Sequence, residues 1–132
     1  MKILVTTAGP DPGRHIAGHL AKAHEVRLIG PRSDAETPQE LAIASADLCT
    51  DDLAESLSGV NAVVHAASFE TDGDNEPAAA RPQLLQATLG TFRLCTAARD
   101  AGVERIIVIA SLNVYDTVPV DYLVDEMWRP RP

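Results

Sequence analysis

The sequence has 132 residues, and its 11 Lys and Arg against 19 Asp and Glu give a formal net charge of −8. This length fits a single domain over residues 1–132, and 45% hydrophobic with 23% charged residues is the composition of an ordinary globular protein. A chain with a pI near 4.8 is a poor match for the phosphates of nucleic acid or anionic lipid, so we expect neither nucleic acid nor a membrane as a partner.

Apolar periodicity divides the chain into regularly alternating strands and helices. The predicted strands are Lys2–Val5, Glu25–Ile29, Leu41–Leu48, Ala62–Ala67 and Arg105–Ala110. The predicted helices are Arg14–Ala23, Asp51–Leu57 and Gln83–Ala101. A long acidic loop at 68–82 and an irregular, Pro-rich tail at 116–132 complete the chain. This alternation predicts an α/β fold, a doubly wound parallel sheet of about five strands.

Several segments carry a family resemblance in the right order and spacing. They are the opening strand with its turn and Gly13-Arg14-His15, the Ala46-Asp47-Leu48 segment, the run Leu57–Ala67, the helix and turn Leu89–Arg105, and Ile107–Ser111 with Val114-Tyr115. Together they resemble the N-terminal half of the extended short-chain dehydrogenase/reductase family, the NAD-dependent epimerase/dehydratases. The resemblance implies a truncated Rossmann-like domain of the NAD(P)-binding type, from a nucleotide-sugar epimerase/dehydratase-like oxidoreductase.

The same resemblance implies a set of site residues. The cofactor would be held by Thr6, Gly9, Gly13, Arg32, Asp47, Leu48, Ala66, Ala67 and Ser68, and Ser111 stands at the position of the catalytic serine. Asp47 would accept from the adenine amino group, although a role as a strand-end or cap residue fits it equally well. Gly30 stands where an acid would hold the ribose hydroxyls of NAD, and Arg32 follows it, so NADP is slightly preferred over NAD.

The phosphate loop departs from the Gly-x-x-Gly-x-x-Gly pattern and makes dinucleotide binding doubtful. Thr7 and Pro10 occupy the first two glycine positions, and Pro10 and Pro12 have no N–H to donate to a phosphate. Asp11 adds a carboxylate where the pyrophosphate would lie. Two interpretations follow: a plain turn from strand to helix, or a weakened dinucleotide site.

The catalytic pair of the family is absent from these 132 residues. The chemistry needs Tyr-x-x-x-Lys, in which the lysine lowers the pKa of the tyrosine. The only lysines are Lys2 and Lys22, and neither Tyr115 nor Tyr122 is followed by a lysine at the fourth position. We predict that the chain alone is inactive. The alternative is a degenerate, non-catalytic relative that serves as a binding or oligomerisation module.

The remaining candidates give simpler expectations. Four histidines lack the partners of a metal site, so no metal is expected, and His65 is interpreted as a core or pocket-wall residue. No signal peptide or membrane-spanning run is recognised and Cys49 and Cys95 are too few for a disulfide framework, which together predict a cytoplasmic protein. A strand that is apolar on both faces invites pairing, so we expect a homodimer through strand 105–110 or helix 83–101.

Overall fold

The computed structural model describes residues 1–7, 12–30, 43–66, 81–82, 84–110 and 125–127. Within these ranges one parallel sheet has the order β3-β2-β1-β4-β5, formed by β1 (Lys2–Thr7), β2 (Glu25–Gly30), β3 (Ile43–Ser45), β4 (Ala62–Ala66) and β5 (Arg105–Val108). The predicted fold class, a Rossmann-like doubly wound sheet of about five strands, is confirmed.

The helices connect these strands on the two faces of the sheet. They are α1 (Gly13–Leu20), α2 (Ala54–Leu57) and α3 (Thr91–Asp100), and a π-helical segment (Gln86–Gly90) leads directly into α3. One core cluster joins α1 to the central strands through Val5, Ala17 and Leu28. The other joins α2 and α3 to the opposite face through residues such as Leu57 and Leu94. Both faces of the sheet are therefore covered, as the apolar run of β4 predicts.

Several boundaries differ from the prediction for local reasons. β1 continues through Thr6 and Thr7, because β-branched residues suit a strand and Thr7 pairs with Ala66. The first helix begins at Gly13 and ends at Leu20, before a turn in which Ala23 donates its N–H to the carbonyl of Leu20, 3.1 Å away. The second helix begins only at Ala54, whose N–H donates to the carboxylate of Asp52 over 2.9 Å.

The predicted helix Gln83–Ala101 is helical throughout its described part, residues 84–100, but it contains a π-helical segment that the periodicity does not predict. In this segment Thr88 donates its hydroxyl to the carbonyl of Leu84 over 2.7 Å, four residues back. Its leucines at 84, 85 and 89 and Phe92 are exposed, and the helix face that reaches the core is Gly90, Leu94 and Ala98. A Cβ atom at Gly90 would lie 3.1 Å from Cβ of Leu48, so the absent side chain lets the helix approach.

The end of this helix follows the prediction. Gly102 has φ of +75°, and its N–H donates to the carbonyl of Arg99 over 3.0 Å. Val103 donates to the carbonyl of Ala98 over 2.9 Å, which completes a Schellman motif. The next strand, β5, closes the sheet at one edge; Ile107 and Val108 on it are about half exposed. No helix in the described ranges is long and apolar enough to cross a membrane.

Candidate functional site

The strand order reverses between β1 and β4, whose carboxyl ends lie side by side. β1 connects onward to β2 and β3 on one side of the sheet, while β4 and β5 extend it on the other. In open parallel sheets, the crevice outside the carboxyl ends of two such strands is where ligands bind. Thr6 pairs with His65, and Thr7 with Ala66, at this place. We call these ends of β1 and β4, together with the start of α1, the switch-point site.

A buried hydrogen-bond chain crosses the switch-point site. The hydroxyl of Thr6 lies 2.6 Å from Nδ1 of His65, and Nε2 of His65 lies 2.8 Å from the hydroxyl of Thr91 on α3. Thr6 and His65 are almost fully buried, so each needs the partner that the other provides. Burial lowers the pKa of His65 because the charged imidazolium loses its hydration. A neutral imidazole therefore ties β1, β4 and α3 together, which agrees with its interpretation as a core residue.

The start of α1 lies close against the end of β1. A Cβ atom at Gly13 would come within 2.9 Å of the carbonyl oxygen of Thr6, so only glycine allows this approach. The N-cap residue, Pro12, provides no side-chain hydrogen bond to the helix. Arg14 follows in the first turn and is only 5% exposed. A helix N-terminus with a buried guanidinium is electrostatically suited to a diphosphate.

Asp47 is exposed, and its carboxyl is hydrogen-bonded within the turn that follows β3. Its Oδ1 accepts from the N–H of Cys49 over 2.8 Å and from the side-chain amide of Gln86 over 2.6 Å. The pKa of this carboxyl is lowered first by the Cys49 N–H and then by the Gln86 amide. Arg93 adds a second connection by donating to the carbonyls of Cys49 and Asp51. The turn after β3 is thus fixed to the helical segment that precedes β5.

The described ranges contain five of the nine predicted cofactor residues. Thr6, Gly13 and Ala66 come together at the switch-point site. Asp47 is followed by Leu48, which is buried in the core and lies close to Gly90. The other predicted residues lie outside the described ranges; they are Gly9, Arg32, Ala67, Ser68 and Ser111.

Sequence reasoning missed three residues that the structure places in or near the site. Arg14 belongs to the Gly13-Arg14-His15 motif, and nothing in a single sequence shows that its side chain is buried. Gln86 and Thr91 hold Asp47 and His65 across large sequence separations, which periodicity does not reveal. Among the residues that the structure describes, no three His, Cys, Asp or Glu side chains are grouped as metal ligands would be.

A parallel sheet of this order, with a helix starting tightly after its central strand, defines a Rossmann-type dinucleotide-binding domain. The model of a family described as NAD(P)H-binding matches residues 11–131. The chain therefore belongs to this NAD(P)H-binding family, and its relatives confirm the resemblance to short-chain dehydrogenases and NAD-dependent epimerase/dehydratases.

A curated relative is the NAD-dependent glucose-6-phosphate dehydrogenase of Haloferax volcanii, 32% identical over 97% of this chain and 50% of that protein. Among solved structures, a short-chain dehydrogenase/reductase superfamily protein from Agrobacterium tumefaciens with bound NAD is 26% identical, with a TM-score of 0.79 over 100% of this chain and 39% of that one. MoeE5 in complex with UDP-glucose and NAD is 30% identical, with a TM-score of 0.77 over 100% and 43% of the two chains. The chain thus spans about half the length of the curated relative it matches, and less of these structures.

Proposed function

We propose that this chain binds a nicotinamide dinucleotide at the switch-point site, with the pyrophosphate at the start of α1. The observation that carries the proposal is the tight junction of β1 and α1 at Gly13, followed by a buried Arg14 in the first helical turn. The helix N-terminus and the guanidinium both favour an anion there. Family membership and relatives with bound NAD support the same assignment. When bound, the cofactor supplies hydride transfer.

The finer cofactor preference follows from what β2 lacks. The last residue of β2 is Gly30, which has no carboxylate. An acidic side chain at this position would repel the 2′-phosphate of NADP, and here that repulsion is absent. We therefore propose that NADP binds at least as well as NAD. Arg32, two residues further on, is the candidate partner of the 2′-phosphate, and Ser111 remains the candidate catalytic serine.

The substrate class is proposed from the relatives. They include a glucose-6-phosphate dehydrogenase, a uronate dehydrogenase and a protein in complex with UDP-glucose. We propose that the chemistry served by this domain is oxidation or epimerisation of a sugar or sugar nucleotide in the cytoplasm. Because no lysine follows Lys22, the Tyr-x-x-x-Lys pair is missing, and these 132 residues alone should show no turnover.

A second candidate is a non-catalytic module that keeps the fold for association. Its support is Thr7 in the phosphate loop and the exposed apolar side chains of Phe92, Ile107 and Val108. Among the strands that the structure describes β5 lies at the edge of the sheet, and an apolar edge strand is a template for pairing with another chain. Under this interpretation the partner is a second copy, paired through β5 about a two-fold axis.

Calorimetric titration with NAD(H) and NADP(H) separates the two candidates. Binding by the wild type, weakened about tenfold or more in Arg14→Gln and unchanged in Arg99→Gln, would support the dinucleotide site. Arg99 is a suitable control because its guanidinium is exposed and pairs with neighbouring Asp100. The absence of binding to a folded wild type would favour the non-catalytic module.

Nicotinamide absorbance with a panel of sugar nucleotides tests turnover; any activity abolished by Ser111→Ala would overturn the predicted inactivity.

A further inference from the structure

Thr7 lies between two glycines that the sequence separates widely. It is the last residue of β1 and is 4% exposed. A Cβ atom at Gly30 would collide with the backbone carbonyl oxygen of Thr7 and would lie 2.8 Å from its Cγ2. A Cβ atom at Gly13 would lie 2.9 Å from Cβ of Thr7. Favourable contacts between such atoms need about 3.5 Å or more, so Thr7 leaves no room for a side chain at either position.

These positions have defined roles in the dinucleotide-binding pattern. The first glycine of the phosphate loop ends the first strand, and an acid about 20 residues later ends the second strand and holds the ribose. This chain has the reverse arrangement, with a side chain at position 7 and a glycine at position 30. β1 and β2 are neighbours, paired in register up to Thr6 and Ile29, so Thr7 lies beside Gly30. A side chain at position 7 and a side chain at position 30 would therefore occupy the same space.

We propose that Thr7 and Gly30 form a sterically coupled pair that sets cofactor selectivity. The backbone carbonyl of Thr7 and its Cγ2 methyl together fill the space that an acidic side chain at position 30 would need at its base, and the methyl is the part that depends on the residue at position 7. Without that carboxylate, the chain does not hold the ribose hydroxyls of NAD through an acid and does not repel a 2′-phosphorylated ribose. The selectivity part rests on the proposed dinucleotide function, whereas the steric part is a property of the folded chain.

Unfolding measurements test the steric coupling. Gly30→Ala should lower the folding equilibrium constant by about tenfold or more, as overpacked sites do. In a Thr7→Gly background the Cγ2 contact is gone while the contact with the paired backbone stays, so the same change should cost about threefold less. Thr7→Ser, which removes only the Cγ2 methyl, serves as a milder background should Thr7→Gly fail to fold.

Gly18→Ala is the matched control, because it adds the same methyl group where no atom lies within 4 Å. Gly18 lies within α1, where alanine favours the helix, so the change should stabilise the chain slightly and to the same extent whatever the residue at position 7. An equal cost of Gly30→Ala in the wild-type, Thr7→Ser and Thr7→Gly backgrounds would overturn the coupling. A reduced cost in the two altered backgrounds, with none of this dependence for Gly18→Ala, would support it.

Calorimetry with NAD and NADP tests the selectivity. The wild type should bind NADP at least as tightly as NAD. The double variant Thr7→Gly with Gly30→Asp should shift the affinity ratio toward NAD by about tenfold or more, and the same background with Gly30→Asn should shift it less, since asparagine lacks the charge that repels a 2′-phosphate.

The two proposals fail in distinguishable ways. An unchanged ratio in the Gly30→Asp variant, or a wild type that prefers NAD, would overturn the selectivity and leave the dinucleotide site in place. No binding of either cofactor by the folded wild type and variants would overturn the proposed function together with the selectivity. The steric coupling would then still be decided by the unfolding measurements alone.

Discussion

Replacing His65 with leucine tests whether the buried hydrogen-bond chain stabilises the switch-point site. Leucine keeps most of the volume but removes both ring nitrogens. Thr6 is 1% exposed, and its hydroxyl lies 2.6 Å from Nδ1 of His65. In His65→Leu that hydroxyl loses its neighbour with no access to water. Thr91 is only partly buried, so its own hydroxyl can turn to solvent.

The expected loss comes mainly from the Thr6 hydroxyl. An unsatisfied buried polar group costs about 1–3 kcal/mol, and we expect His65→Leu to lower the free energy of unfolding by about 2 kcal/mol near neutral pH. Adding Thr6→Val removes the second polar group and keeps the shape of the side chain. The double variant should therefore recover most of the loss and fall within about 1 kcal/mol of the wild type.

The pH dependence gives an independent signature. Burial lowers the pKa of His65 in the folded chain below its unfolded value. The contribution of neutral His65 to the free energy of unfolding is fully present above the unfolded pKa, about 6.5. This contribution is lost as the pH falls from there toward the folded pKa. The wild type should therefore lose stability in mildly acidic buffer relative to His65→Leu, in which this group is absent.

Urea unfolding followed by far-UV circular dichroism measures both effects. The four proteins of the cycle (wild type, Thr6→Val, His65→Leu and the double variant) are compared at pH 7.5, and wild type with His65→Leu down to pH 5. The reasoning would be refuted if His65→Leu were as stable as the wild type. It would also be refuted if the double variant lost the sum of both single losses, or if the two stabilities stayed a constant distance apart across the pH range.

Three further outcomes follow. Asp47→Asn should lower Tm at pH 7, and the difference from the wild type should shrink as the pH falls below the ordinary value of 3.8, because the Cys49 N–H and the Gln86 amide depress the folded pKa of this carboxyl; an unchanged Tm at pH 7 would contradict this. The loop variant Thr7→Gly, Pro10→Gly, Asp11→Phe should tighten NAD(P) binding by calorimetry, and weaker binding by a folded variant would count against it. Light scattering should show the proposed dimer at micromolar concentration and its loss in Val108→Lys, whereas a wild-type mass near 14.1 kDa on all dilutions would exclude the dimer.

The sequence predicts the sheet well because its central strands obey simple rules. β1 and β4 are apolar runs bounded by turns, and burial on both faces is what such runs require. The Gly102 helix end was predictable for the same kind of local reason, since glycine adopts the left-handed conformation without strain. Local rules say less about the helix before β5, where leucines and Phe92 recur at helical spacing but are exposed, while Gly90, Leu94 and Ala98 reach the core.

The site was less predictable because its contacts are long-range. Asp47 was assigned equally to adenine binding or to a cap, and the structure shows its Oδ1 already bonded within its turn and to Gln86. The partner of His65 on α3 is 26 residues away in sequence. Thr7 and Gly30 come close because β1 and β2 are neighbouring strands. Comparing each residue with the family motif does not show which strands are neighbours. In each case tertiary packing decides what the local pattern leaves open.

The exposed apolar surface links the stability of this chain to whatever covers it. Ile107 and Val108 on β5 and Phe92 on α3 leave about half or more of each side chain in water. At about 1.5–3 kcal/mol for a fully buried side chain of this size, covering the exposed parts of these three adds on the order of 3 kcal/mol. That is a large share of the roughly 5–15 kcal/mol that holds a domain folded. A partner on β5 and a dinucleotide at the switch-point site would each stabilise the same sheet, so protein concentration and cofactor must be varied separately for either effect to be assigned.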